Sequence, residues 1–211
     1  DLRLEANTGN GVKQLTFSGW FLGDEYQVSE FEIGSVDVFS FNQLRSAIGL
    51  GLALTEGPDT YEGTSGKDVV YGLGGNDIMA GLGGADIIIG GPGDDILSGN
   101  RLNIEGDTVT RNNANDGQAD TFIFNLGDDH DTIYEREINL AYRALLQFGA
   151  GISADDITLY RDGLDLIFQV NDADSVTIKD WFVSINYRIG QIQFGEADPV
   201  DASQWVNSRA L

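Results

Sequence analysis

GTSGKDVVY, GLGGNDIMA, GLGGADIII and GGPGDDILS, residues 63–98, are four versions of one nine-residue phrase. A weaker version precedes them, so Asp59, Asp68, Asp77, Asp86 and Asp95 recur every nine residues. Gly57, Gly66, Gly75, Gly84 and Gly93 keep the same step, two residues ahead of each aspartate. Tyr61, Val70, Met79, Ile88 and Leu97 follow each aspartate by two. Thirteen of the 28 glycines fall within residues 57–99, so glycine is a feature of this ladder and not of the whole chain. Such phasing marks a repeat architecture. A flexible glycine-rich linker has no reason to keep apolar residues in phase.

The period has a mechanical reading. Six residues make a turn, for which glycine supplies backbone angles closed to other residues. Three residues make a strand whose middle side chain points inward. Two units then form one coil of 18 residues, with a turn at each edge and parallel strands about 4.8 Å apart. Asp59, Asp77 and Asp95 line one edge, and Asp68 and Asp86 the other.

Columns of carboxylates at that spacing oppose folding. Two unit charges about 5 Å apart repel by roughly 0.8 kcal/mol in water and roughly 3 kcal/mol at an effective dielectric of 20. A hard cation between successive turns reverses the sign. Calcium takes six to eight oxygens and accepts backbone carbonyls, which glycine turns expose; magnesium demands a strict octahedron and keeps its waters. Calcium is therefore the expected ligand.

The ladder resembles the RTX (repeats-in-toxin) nonapeptide family, G-G-x-G-x-D-x-apolar-x, which GGPGDDILS matches in full. The other units replace the second glycine, and the first replaces more. The resemblance implies calcium between each turn and the turn 18 residues later. Carbonyls at the second and fourth positions of one turn, and the first and third of the other, would join both aspartates. Carried over, Gly57 and Asp59 face Gly72, Gly74 and Asp77. Gly66 and Asp68 face Gly81, Gly83 and Asp86. Gly75 and Asp77 face Gly90, Pro92 and Asp95. Thr64, Leu73 and Leu82 stand at second positions, Gly84 and Gly93 at fourth, and Gly99 at a first. Dilute extracellular sites of this kind bind with dissociation constants of about 10⁻⁴–10⁻³ M, so the resemblance implies a chain exported unfolded by type I secretion that folds outside the cell.

The aspartates continue beyond the regular block with longer spacings. Asp107, Asp120 and Asp131 each open an Asp-x-apolar phrase, and calcium is expected at Asp86/Asp107 or Asp95/Asp120. GDDHDT, residues 127–132, resembles a degenerate last turn with Asp129 where glycine belongs.

The flanks repeat each other at an offset of 161. LTFSGWF (15–21) matches VTIKDWF (176–182), YQVSEFEI (26–33) matches YRIGQIQF (187–194), and Ser40–Ala47 matches Asp201–Ser208 as a short capped helix. Both copies read as β, with a hairpin at NDADS (171–175). LLQFGAGISADDITLYRDGLDLIFQV (145–170) is similar to the hemolysin-type calcium-binding related domain, whose usual companions are RTX repeats. Trp20, Trp181, Tyr26 and Tyr187 are expected as core anchors.

Composition narrows the partners. Acidic residues number 34 against 12 basic, a net charge of −22, which repels nucleic acid and anionic membrane. There is no cysteine, so no disulfide supports the fold. His130 is the single histidine, which excludes paired-His zinc sites and marks it as a solvated turn residue. No nucleophile elbow occurs. GTSGKD lacks a phosphate loop's first glycine, at Tyr61, and its magnesium-binding hydroxyl, at Asp68.

The expected architecture is all-β: a calcium-loaded parallel β-roll, a right-handed coil of nonapeptides, flanked by small β modules with short helices. Residues 1–50 would be the end of a first module, 51–135 the roll with insertions near 99–118, and 136–211 a second module capping it. Asp1-Leu2-Arg3-Leu4 reads as strand already under way, so neighbouring modules of a longer parent chain are expected partners. The expected function is a non-enzymatic, calcium-binding structural segment of a secreted toxin, bacteriocin or surface protein. The alternatives are an adhesion module for glycans or a host surface, read from exposed aromatics, or a non-catalytic part of a secreted enzyme.

Overall fold

The computed structural model describes residues 51–209, apart from 107, 113 and 114, and the backbone of four strands ahead of them. The chain forms two compact units, 1–47 and 48–211. In the first, β1 (Leu2–Thr8) pairs antiparallel with β2 (Gly11–Phe17), and β3 (Glu30–Ile33) with β4 (Asp37–Ser40). Trp20, Tyr26 and the helix expected after Ser40 lie outside the described residues.

The second unit begins with the nonapeptides. β5 (Leu52–Ala53), β6 (Thr60–Glu62), β7 (Val69–Tyr71), β8 (Ile78–Ala80), β9 (Ile87–Ile89) and β10 (Ile96–Ser98) alternate between two parallel sheets. Each strand stacks on the one 18 residues away, as in Thr60↔Ile78↔Ile96. The six-plus-three division of each unit holds. The inward residue is the expected one: Val70, Met79, Ile88 and Leu97 are buried, and Tyr61 is half-buried at the first rung.

After Asn100 the chain leaves the coil as a hairpin of β11 (Leu102–Glu105) and β12 (Thr108–Arg111). The coil then resumes. β13 (Thr121–Phe124) stacks on β9, and β14 (His130–Ile133) on β10. β15 (Leu145–Phe148) stacks on β13. An antiparallel pair, β16 (Thr158–Asp162) and β17 (Asp165–Gln169), hands over to β18 (Ser175–Ile178), which lies parallel to β14. β19 (Gln191–Phe194) lies parallel to β15, and β20 (Val200–Asp201) closes that sheet. The expected division at 135/136 is thus crossed by strand pairing: the second module continues both sheets of the roll. The physical reason is its inward-facing register. Ile133↔Ile178 and Leu146↔Ile192 extend the same apolar columns that Leu97 and Ile88 begin.

The interior changes along the roll. Three-residue strands place one side chain inward; the later four-residue strands place two. Phe122 with Phe124, Leu146 with Phe148 and Val176 with Ile178 are all buried. Phe148 stacks on Phe194 at 5.3 Å and meets Phe124 edge-on at 6.1 Å. Trp181 is 2% exposed, a core anchor as expected. Asp201 caps the helix Ala202–Asn207 by accepting from Gln204 N at 2.8 Å, and the 171–175 turn is the expected hairpin.

The flanking repeat is visible in the backbone. Leu2↔Phe17 and Leu4↔Leu15 in the first unit correspond, 161 or 164 residues on, to Leu166↔Ile178 and Phe168↔Val176. Glu30↔Ser40 becomes Gln191↔Asp201.

Candidate metal columns

The aspartates form two hydrogen-bonded columns. Each Oδ1 accepts from the backbone N–H of the aspartate one coil earlier. Asp59 N donates to Asp77 at 2.8 Å, Asp77 N to Asp95 at 2.7 Å, and Asp95 N to Asp131 at 3.1 Å. On the other edge, Asp68 N donates to Asp86 at 2.8 Å and Asp86 N to Asp120 at 2.9 Å. The expected pairings Asp86/Asp107 and Asp95/Asp120 are therefore corrected. The excursion through β11 and β12 shifts the register, so Asp120 stacks on Asp86 and Asp131 on Asp95. Asp107 lies outside the described residues, in the sequence between β11 and β12.

The second carboxylate oxygen is where the columns differ from ordinary capped turns. In the first two turns threonine satisfies it. Asp59 Oδ2 accepts from Thr55 N at 2.8 Å and Thr55 Oγ1 at 2.7 Å. Asp68 Oδ2 accepts from Thr64 N at 2.6 Å and Thr64 Oγ1 at 3.0 Å. From the third turn the second position is Leu73, Leu82 or Gly91, and the Oδ2 atoms of Asp77, Asp86 and Asp95 are buried without a partner. A buried carboxylate oxygen without a partner is costly.

Those oxygens point into cradles of glycine. A Cβ on Gly72 would lie 2.3 Å from Asp77 Oδ2 and 2.3 Å from Gly90 O. One on Gly81 would lie 2.1 Å from Asp86 Oδ2 and 3.0 Å from Gly99 O; one on Gly63 would lie 2.3 Å from Gly81 O. Only glycine leaves this space open. At the fourth position Gly75, Gly84 and Gly93 have φ of 101°, 118° and 141°, and they press on Gly57, Gly66 and Gly75 of the coil before. Gly74 and Gly83 follow the same path beside Glu56 and Ser65. Two carbonyls named by the resemblance also serve the turn ladder: Thr64 O accepts from Gly83 N at 3.1 Å, and Pro92 O from Gly75 N at 3.0 Å.

Burial dominates the electrostatics. It pushes Asp77 and Asp86 up to about 6, against the pull of the N–H each accepts. Asp95 is pushed up to about 7, Asp120 to about 8 and Asp131 to about 9 by the same cause. The like charges stacked above and below add to it. Unpartnered carboxylate oxygens beside backbone carbonyls are the donor set of a hard divalent ion. Among the described residues no three acidic or histidine side chains meet at one point. The donors here are two carboxylates per rung with main-chain oxygens, and they fit calcium.

The family comparison agrees. The sequence family described as the RTX calcium-binding nonapeptide repeat (4 copies) matches residues 55–88 and 76–103. The chain carries RTX calcium-binding repeats. The haemolysin-type calcium binding protein related domain matches residues 165–195. The RTX repeats and this segment share one pair of sheets. A curated relative, the iron-regulated protein FrpA of Neisseria meningitidis serogroup C, is 30% identical over 87 residues, 39% of this chain. The chain spans 8% of that protein's length. Among solved structures, the AlgE6R3 subunit of the Azotobacter vinelandii mannuronan C5-epimerase is 24% identical with a TM-score of 0.43, over 69% of this chain and 82% of that one. The extracellular lipase LipA of Serratia marcescens is 21% identical with a TM-score of 0.42, over 88% of this chain and 25% of that one.

His130, expected as a solvated turn residue, is exposed at the start of β14, with Nδ1 3.0 Å from Ser175 Oγ. Asp131 is the column member that the sequence reading left out of its site. Its signal was the turn before it: Gly127 and Asp129 have φ of 89° and 58°, the left-handed second and fourth positions of a nonapeptide turn.

Proposed function

We propose that this chain is the calcium-binding structural segment of a larger secreted bacterial protein, a toxin, bacteriocin or surface protein, and that calcium folds it after export. The observation that carries the reading is the set of buried, unpartnered Oδ2 atoms of Asp77, Asp86 and Asp95, the first two beside Gly90 O and Gly99 O. The ligands of each ion would be the stacked pairs Asp59/Asp77, Asp77/Asp95, Asp68/Asp86 and Asp86/Asp120. First-position carbonyls such as Gly81 O, Gly90 O and Gly99 O complete them. The ion supplies the positive charge between stacked carboxylates, and binding free energy becomes folding free energy. Inside a cell, where free calcium is low, the columns repel and the nonapeptides stay unfolded; outside, the ion closes them. FrpA is named for iron regulation, and that property is not carried to this chain.

The adhesion alternative looks to an exposed aromatic patch near Trp20 or Trp181; Trp181 is buried, and Trp20 lies outside the described residues. The test of the proposal is a calcium titration of the chelated full chain followed by circular dichroism, with magnesium as the control. A cooperative gain of β signal near millimolar calcium, reversed by chelator, is the expected result. A chain with full β signal in chelator would sink the switch.

A further inference from the structure

A second set of carboxylates gathers where the insertion rejoins the coil. Asp120, Glu135 and Glu137 are all buried, and Asp116 is half-buried beside them. Two of the four are held by their own donors. Glu137 accepts from Asn115 Nδ2 at 2.8 Å and Asn139 N at 2.6 Å. Asp116 accepts from Gly84 N at 2.9 Å and Gln118 N at 3.1 Å. Glu135 differs: it is 1% exposed, and its Oε2 has no partner. Burial pushes its carboxyl well above the ordinary range, and the charges of Asp120, Glu137 and Asp116 add to that, against the pull of Arg111.

The coil explains why a glutamate stands there. Ser98 Oγ donates to Tyr134 O at 2.8 Å, and Asn100 Nδ2 to Arg136 O at 3.1 Å. Residues 134–136 therefore stack on 98–100, and Glu135 takes the place above Gly99 in the row Gly63, Gly81, Gly99. On the rung below, Gly99 offers its carbonyl toward Asp86 Oδ2. On this rung the equivalent carbonyl, Glu135 O, already accepts from Arg111 Nε at 3.0 Å. Arg111 spends its other nitrogens on Lys179 O at 3.0 Å and on Asp180. Asp120 Oδ2, meanwhile, is aimed at Gly99, where a Cβ would lie 1.7 Å from it.

We propose that Asp120 Oδ2 and Glu135 Oε2 hold one further calcium ion, outside the nonapeptide pattern, with Glu137 and Asp116 as flanking negative charges. A side-chain carboxylate replaces the main-chain carbonyl that the arginine has taken. The site uses two direct carboxylates, like each rung of the columns, because the other two are kept back by their own donors. It would lock the insertion to the coil, since Asp116 already reaches Gly84 in a nonapeptide turn. This inference rests on the calcium reading above.

The test is calcium stoichiometry of the full chain by isothermal titration, with terbium luminescence as a second count. Glu135→Gln keeps shape and removes the charge; it should lose one ion and keep its β signal. Asp120→Asn should lose two ions, one from the Asp86 rung and one from this site. If Glu135→Gln keeps every ion, or Asp120→Asn loses only one, Glu135 is a protonated structural carboxyl and the proposal fails. Should Glu135→Gln not fold, Glu135→Asp retains the charge with a shorter reach and should weaken one ion at least tenfold; unchanged binding overturns the site. Asp77→Ala separates the two levels: if it also keeps every ion, the calcium columns themselves are wrong.

Discussion

Asp95 N–H donates to Asp131 Oδ1 at 3.1 Å across 36 residues, twice the coil's 18-residue step. The column thus survives a looped-out hairpin. Asp131→Ala would leave the Asp95 N–H buried without an acceptor, a loss of about 1–3 kcal/mol. The urea midpoint in saturating calcium should fall accordingly. An unchanged midpoint would restore the pairing of Asp95 with Asp120.

Asp77 sits between Asp59 and Asp95, so it serves two rungs. Asp77→Ala should raise the calcium midpoint for folding and reduce the number of bound ions more than Asp59→Ala, whose Oδ2 is already satisfied by Thr55. Calorimetric titration of both variants compares them; equal effects would contradict the stacking.

Val70 is fully buried in the column that Ile88 and Phe122 continue. Val70→Asp puts a charge there with no partner, a defect costing several kcal/mol. The nonapeptide coil should lose β signal even in saturating calcium, and wild-type thermal stability in this variant would refute the inward assignment.

Acid and calcium act in opposite directions. Without the ion, folding raises the aspartate pKa values to about 6 for Asp77 and Asp86 and about 7 for Asp95. The folded columns then bind protons that the unfolded chain has released. Their metal-free stability is fullest below about pH 4 and is lost as pH rises through about 6–7. Calcium displaces those protons, so half-saturation should need less calcium as pH rises from about 5 to about 8, by up to tenfold per pH unit for each proton released. Titrations across that range, at fixed ionic strength, read the slope; a flat profile would mean the carboxylates are ionised before the ion arrives.

Leu73 and Leu82 adopt φ of 75°, the backbone that Gly91 takes at the same position with φ of 93°. Leu73→Gly should relieve about 1 kcal/mol of strain, offset in part by the lost side-chain contact. The reverse change at Gly91 is barred, because a Cβ there would meet Leu73 O at 2.0 Å. Melting temperatures in calcium should rise slightly for Leu73→Gly and drop sharply for Gly91→Ala.

The nine-residue step made strands, inward residues and both aspartate edges legible, because each depends on local spacing alone. The flanking repeat was legible from Trp181 and its matched phrase, and the strands of the two flanks pair in corresponding register. What spacing could not convey was where the chain returns after an excursion. Asp107, Asp120 and Asp131 carry similar phrases, and only the excursion through β11 and β12 decides which of them stack. The continuation of the roll through β15, β18 and β19 was hidden for the same reason. Their strands are far apart in sequence and carry Phe148, Ile178 and Phe194 instead of the glycine-aspartate signature. Glu135 was invisible because no motif marks a glutamate that stands in for a glycine.

The shared sheets give the coil a direction of growth. Its later rungs, around Phe122, Phe124 and Phe148, bury two large side chains per strand. Its earlier rungs hold one inward side chain each. Each nonapeptide turn contacts only the coils next to it, so winding can proceed rung by rung from a formed edge. On the calcium reading the phenylalanine end should be that edge, with turns wound from it toward Asp59 as calcium arrives; hydrogen exchange at limiting calcium should then open the Asp59 turn first.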